Sequence, residues 1–102
     1  MIKEITTSEE FKDVIKESCI VDFYGEDCPN CKNMADIMEK IRGDIPIYKF
    51  KIDRAISLEI KSISVIMGVP TACVYSDGKE MFRTNNQINP MEFEELFDLY
   101  KK

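Results

Sequence analysis

The sequence predicts an α/β fold, a mixed sheet sandwiched by helices in the order β-α-β-α-β-α-β-β-α. Three observations predict it. Strand-length apolar runs alternate with stretches whose apolar residues recur at helical spacing. The run Cys19-Ile20-Val21-Asp22-Phe23-Tyr24 is almost continuously apolar, as strands covered on both faces are. Asp77-Gly78 between two later strand-like runs signals a hairpin, which adds an antiparallel pair to strands joined by helical crossovers. The 102 residues are the usual length of one domain, expected to span 1–102 with a single core.

A short strand from Ile2 to Ile5 opens the chain. Thr7 with Glu10 three residues on is a capping-box signature, and Phe11, Val14 and Ile15 give the helix after it an apolar face. Cys19 to Tyr24 is the buried strand. After the loop Gly25-Glu26-Asp27, a helix starts at Cys28-Pro29, carries Met34, Ile37, Met38 and Ile41 inward, and is expected to stop at Gly43. Ile45 to Ile52 reads as a strand with Tyr48, Phe50 and Ile52 on one face and Lys49 and Lys51 on the other. Ala55 to Ile63 reads as a helix. Thr71 to Tyr75 and Glu80 to Thr84 are the hairpin strands. Asn89 caps and Pro90 opens the last helix, whose inner face is Phe93, Leu96, Phe97 and Tyr100.

Composition removes several function classes. Fourteen basic against nineteen acidic residues leave a net charge of -5, without the basic field that holds phosphates, so nucleic acid is not expected as a partner. No apolar run approaches the roughly 18 residues of a membrane span, and MIKEITTSEE lacks a signal-peptide core. A soluble, cytoplasmic protein is expected. There is no histidine, which removes the commonest general base and metal ligand. Chemistry falls to the thiols and carboxylates.

Of the four cysteines, Cys28 and Cys31 form the motif Cys28-Pro29-Asn30-Cys31, just after a buried strand and at a helix start. That context makes the spacing read as a redox pair. Unpaired N–H groups and the positive end of the helix dipole stabilise a thiolate at Cys28, while Asp27 beside it opposes one. Cys31, one turn on, is close enough to close a disulfide and faces inward. The same spacing is half of a zinc site, but its other ligands would have to be carboxylates or Cys19 and Cys73, both in apolar strands; no metal is expected. Those two thiols read as small core residues. Asp22 inside a buried strand should hold a raised pKa, or else pair with Lys49 of the neighbouring strand. Pro70 precedes a central-looking strand, which a cis Val69-Pro70 bond in a tight turn would accommodate.

Together Val21-Asp22-Phe23-Tyr24, Cys28 to Lys32, Lys49-Phe50-Lys51-Ile52-Asp53, Gly68-Val69-Pro70-Thr71 and Asp77-Gly78 resemble the thioredoxin family along essentially the whole chain. The resemblance implies the thioredoxin fold, a mixed five-stranded sheet with four helices, and a thiol-disulfide oxidoreductase that reduces protein disulfides. It implies Cys28 as the nucleophile, Cys31 as the resolving thiol, Asp22 as the acceptor of the Cys31 proton, and Lys49 as a modulator of that acid. Substrate would lie along Val69 and Pro70 and against Asp27, Pro29 and Asn30. The implied partners are protein disulfides and a reductase, the only cofactor the redox-active Cys28–Cys31 disulfide, and the working form a monomer. Asp27 replaces the tryptophan usual before the first cysteine, and Asn85-Asn86 stand where the family places a substrate-contacting glycine. Pro29 directly after Cys28 is also similar to glutaredoxins, which would imply glutathione. The remaining alternative is a thioredoxin-fold binding module that uses the Val69-Pro70 surface without turnover.

Overall fold

The computed structural model describes residues 2–102. Strands β1 (Ile2–Ile5), β2 (Cys19–Tyr24), β3 (Ile47–Lys51), β4 (Thr71–Ser76) and β5 (Lys79–Thr84) alternate with helices α1 (Ser8–Val14), α2 (Pro29–Glu39), α3 (Arg54–Ile60) and α4 (Pro90–Tyr100) in the predicted order. The strands form one sheet in the order β1-β3-β2-β4-β5. β3 is parallel to both β1 and β2, and β4 is antiparallel to β2 and β5. The strand that carries Asp22 is therefore central, paired on both sides.

Alternation along each strand sends side chains into two separate cores, one on each face of the sheet, instead of the single core expected. Cys19, Val21, Phe23, Phe50, Cys73 and Tyr75 pack with Phe11 and Ile15 of the α1 region and Ile60 of α3. Ile20, Ile47, Ala72 and Val74 pack on the other face with Met34 and Met38 of α2 and Phe93 and Phe97 of α4. Phe11 centres the first core, its ring 5.4–5.7 Å from those of Phe23, Phe50 and Tyr75. Among the described residues, no helix is long and apolar enough to cross a membrane.

The helix starts follow the predicted chemistry. The Thr7 hydroxyl accepts the Glu10 N–H at 3.1 Å, and the Glu10 carboxylate accepts the Thr7 N–H at 3.2 Å, a reciprocal capping box. Since α1 delivers Phe11 to the core, Thr7→Ala should cost about 1 kcal/mol, the usual loss for a hydroxyl cap, read as a lower urea midpoint at unchanged slope. Asn89 caps α4 in the same way. At the hairpin, Asp77 (φ 57°) and Gly78 (φ 78°) both take positive φ, as a type I′ turn requires.

Several boundaries differ from expectation, those of the strands mostly by a single residue. α2 ends at Glu39, short of Gly43, because Lys40 and Ile41 donate to carbonyls three residues back and tighten the last turn. β3 starts at Ile47 rather than Ile45, since Pro46 has no N–H for the ladder and only its carbonyl pairs, accepting the Ile20 N–H at 2.9 Å. α3 runs over Arg54–Ile60 instead of Ala55 to Ile63: the Asp53 carboxylate accepts the Ile56 N–H at 2.8 Å and caps it one residue earlier, and beyond Ile60 the chain tightens into a turn in which the Ile63 N–H donates to the Ile60 carbonyl at 2.9 Å.

Candidate active site

Cys28 is the N-cap of α2, with extended backbone (φ -119°, ψ 98°), and Pro29 occupies the first helical position. The Cys28 and Cys31 sulfurs are joined as a disulfide across a Cα–Cα distance of 5.2 Å. The Cys31 N–H donates to Cys28 Sγ at 3.2 Å, so the first sulfur already caps the helix. Cys28 is half-buried, with Pro29 and Asn30 exposed beside it, whereas Cys31 is buried. Cys28 is thus the more accessible residue of the pair to a large substrate. Asp27 is exposed and holds a left-handed φ of 47°, a conformation that Asp tolerates better than most residues. It aims the chain from the Gly25-Glu26 loop into the helix.

Asp22 lies on the α2 face of β2, one strand step beyond Ile20, the residue that packs against Met34 and Met38. It is completely buried, and neither carboxyl oxygen has a hydrogen-bond partner among the described residues. Burial pushes its pKa up to about 7, and the nearby Lys49 charge offsets only part of that rise. The expected Asp22–Lys49 ion pair does not form. Lys49 is the register partner of Asp22 on β3, but its Nζ sits 4.6 Å above the centre of the Tyr24 ring. The Tyr24 hydroxyl in turn donates to Glu4 of β1.

Val69-Pro70 is a cis peptide, as the sequence predicted, with Pro70 buried and Val69 half-buried. A Cβ built on Gly25 would lie 3.1 Å from Val69 Cγ2, so the loop before Cys28 and the Pro70 loop abut. Asn85, which sequence reasoning left without a structural role, fixes this second loop together with Thr71. Asn85 Nδ2 donates to the Pro70 carbonyl at 3.2 Å and to Thr71 Oγ1 at 2.7 Å, and Thr71 Oγ1 donates to the Gly68 carbonyl at 2.6 Å. Gln87 reaches Asn30 at 3.5 Å. The only available signal was the cluster of amides following β5. A concave site of about 280 Å³ flanks the disulfide, lined by Tyr24, Asp27, Cys28, Cys31, Lys32 and Lys49, among others.

Cys19 and Cys73 are free, buried and in the α1/α3 core, across the sheet from the disulfide. Burial raises both thiols to about 12. They cannot complete a tetrahedral site with Cys28 and Cys31, which removes the cysteine-only version of the zinc reading. Among the described residues, no cluster of three or more Cys, Asp or Glu side chains could hold a metal.

A family model, Thioredoxin, matches residues 2–99. The chain belongs to the thioredoxin family. It is 31% identical over 98 residues to a thioredoxin of Mycoplasmoides gallisepticum, covering 93% of this chain and 98% of that one. Thioredoxin-1 of Saccharomyces cerevisiae is 29% identical over 86 residues, 79% of this chain and 82% of its own length. Among solved structures, a mutant thioredoxin from Halobacterium salinarum superposes with a TM-score of 0.82 at 20% identity, covering 99% of this chain and 91% of that one. A thioredoxin from Aeropyrum pernix gives 0.72 at 22%, covering 92% and 84%. At those identities the structural likeness speaks for the fold alone. Membership of the thioredoxin family gives the chain its general function, thiol-disulfide oxidoreduction, and Cys28–Cys31 is the pair that suits it.

Proposed function

We propose that the chain reduces protein disulfides by cycling Cys28 and Cys31 between dithiol and disulfide. The observation that carries this is the unequal exposure of the two cysteines at the start of α2. The Cys28 thiolate, stabilised by the Cys31 N–H and the helix terminus, attacks one sulfur of a substrate disulfide. The substrate S–S bond breaks, its other half leaves as a thiolate, and a mixed disulfide on Cys28 remains. Cys31 then gives its proton to Asp22, and its thiolate attacks Cys28 Sγ. The second substrate thiolate departs and takes up a proton, leaving the Cys28–Cys31 disulfide. An acid titrating near 7 is well matched to accepting and returning a proton at neutral pH. A dithiol reductase resets the pair by the same exchange in reverse.

Substrate chain would lie along Val69 and Pro70, whose loop is braced by Asn85 and abuts the loop before Cys28. Asp27, Pro29 and Asn30 form the exposed rim around the attacking sulfur. Lys49 acts through its charge on Asp22. The test is catalysis of insulin reduction by dithiothreitol, paired with a Cys31→Ser variant. The wild-type protein should accelerate insulin precipitation. The variant should accumulate a mixed disulfide with insulin that intact-mass analysis detects. No acceleration together with no trapped complex refutes the reading and leaves a binding module.

A further inference from the structure

Three charged side chains stand in one row across the sheet. Glu4 on β1 and Asp22 on β2 are both register partners of Lys49 on β3, so a carboxylate flanks the lysine on either side. Neighbouring strands run about 4.8 Å apart, well within a lysine's reach. Lys49 nevertheless forms no ion pair with either acid among the described residues. Its ammonium lies on the Tyr24 ring, and the hydroxyl of the same ring takes the Glu4 carboxylate. One tyrosine thus engages Glu4 and the central Lys49 and leaves Asp22 without a counter-charge in contact.

We propose that Tyr24 is a positioning residue for the resolving step: it holds the Lys49 ammonium off Asp22, so that the buried carboxyl can take the Cys31 proton near neutral pH. The inference rests on the reading of Asp22 given under Proposed function. The other groups around the carboxyl do not supply the same control. Lys51, next on the same face of β3, is taken by Glu26. β4 presents Ala72 opposite Asp22, and α2 contributes Cys31, locked in the disulfide. Lys32 of α2 also lines the concave site, but among the described residues Lys49 is the cation whose charge acts on Asp22. With the ring gone, the ammonium is free to close on the carboxyls that flank it, the buried Asp22 among them. Ionised Asp22 would then be favoured, and a weaker base would face the Cys31 thiol.

The test compares wild type, Tyr24→Leu, Tyr24→Phe and Tyr24→Leu/Lys49→Met in two measurements. A carboxyl-carbon NMR titration of Asp22 in the oxidised protein reads its midpoint whether or not the protein turns over. Stopped-flow reaction of the reduced protein with dithiobis-nitrobenzoate reads the second, concentration-independent thiolate release, which is attack by Cys31. Tyr24→Leu should lower the Asp22 midpoint by about one pH unit or more, the effect of an opposite charge brought into contact. The pH limb of the second release should move down with it. Tyr24→Phe, which keeps the ring, should leave both in place, and Lys49→Met should abolish the downward shift caused by Tyr24→Leu. An Asp22 midpoint unmoved in Tyr24→Leu, or a downward shift that survives Lys49→Met, overturns the proposal. A midpoint that moves while the limb stays overturns it as well, and also takes Asp22 out of resolution. Protein-disulfide reduction fails separately, in the insulin assay of the unaltered protein.

Discussion

Cys28→Ser should bring insulin reduction down to the rate of dithiothreitol alone. The loss is expected to be complete because the remaining thiols offer no substitute. Cys31 is buried under the first turn of α2, and Cys19 and Cys73 are buried in the opposite core with thiols raised to about 12. A serine hydroxyl can still cap the helix, so the fold should survive, and an unchanged far-ultraviolet spectrum would show it. Residual turnover well above the dithiothreitol rate would assign the attack to another sulfur and defeat the mechanism.

Asp22→Asn should make the protein more stable at pH 8 and slower to resolve mixed disulfides. The sign follows from the raised acidity constant. Well below pH 4 the carboxyl is protonated in folded and unfolded chains alike and exerts no pH-dependent penalty. As pH rises from there, the unfolded chain ionises while the folded one keeps its proton, so stability falls until about pH 7 and then levels off. Moving a carboxyl from 3.8 to about 7 corresponds to roughly 4 kcal/mol lost across that window. The amide removes the loss but leaves polar atoms unpartnered, which costs about 1–3 kcal/mol. Urea unfolding should therefore show a gain of about 1–3 kcal/mol at pH 8 that turns into a net loss near pH 4, where only the cost of the amide remains, and equal pH dependence in both proteins would refute the burial argument. The second thiolate release should fall steeply in the same variant, since an amide accepts no proton. The stabilising change is thus expected to be the disabling one, as happens where a site carries a group its fold would be more stable without.

Local chemistry made much of this molecule legible in its sequence. Thr7 with Glu10, Asn89 with Pro90, and Asp77-Gly78 each act over three or four residues, so their elements begin where the pattern says. The Cys28 motif announced itself for the same reason: helix start, spacing and preceding strand are neighbours in the chain. Element ends were less legible. Asp53 caps α3 from outside the apolar spacing that begins at Ala55, and no residue type marks the tightened last turn of α2. Contacts between distant segments lay beyond sequence patterns. The placement of β4 beside β2, Asn85 on Pro70 and Lys49 on Tyr24 all depend on how strands are ordered and where long side chains come to rest. The Asp22–Lys49 pair shows the limit well. Register put the two residues side by side as expected, and an aromatic ring two residues on redirected the charge.

The sheet that divides the two cores also acts as a partition for sulfur chemistry. A protein whose work is exchanging disulfides risks exchanging its own, since any thiol that can reach Cys28 Sγ can capture it and trap a dead-end isomer. Here both bystander thiols lie behind a layer of paired backbone, in an aromatic-lined core around Phe11 that keeps them protonated. Scrambling would require the core to open. The chain can therefore keep four cysteines and still send electrons out by a single exit.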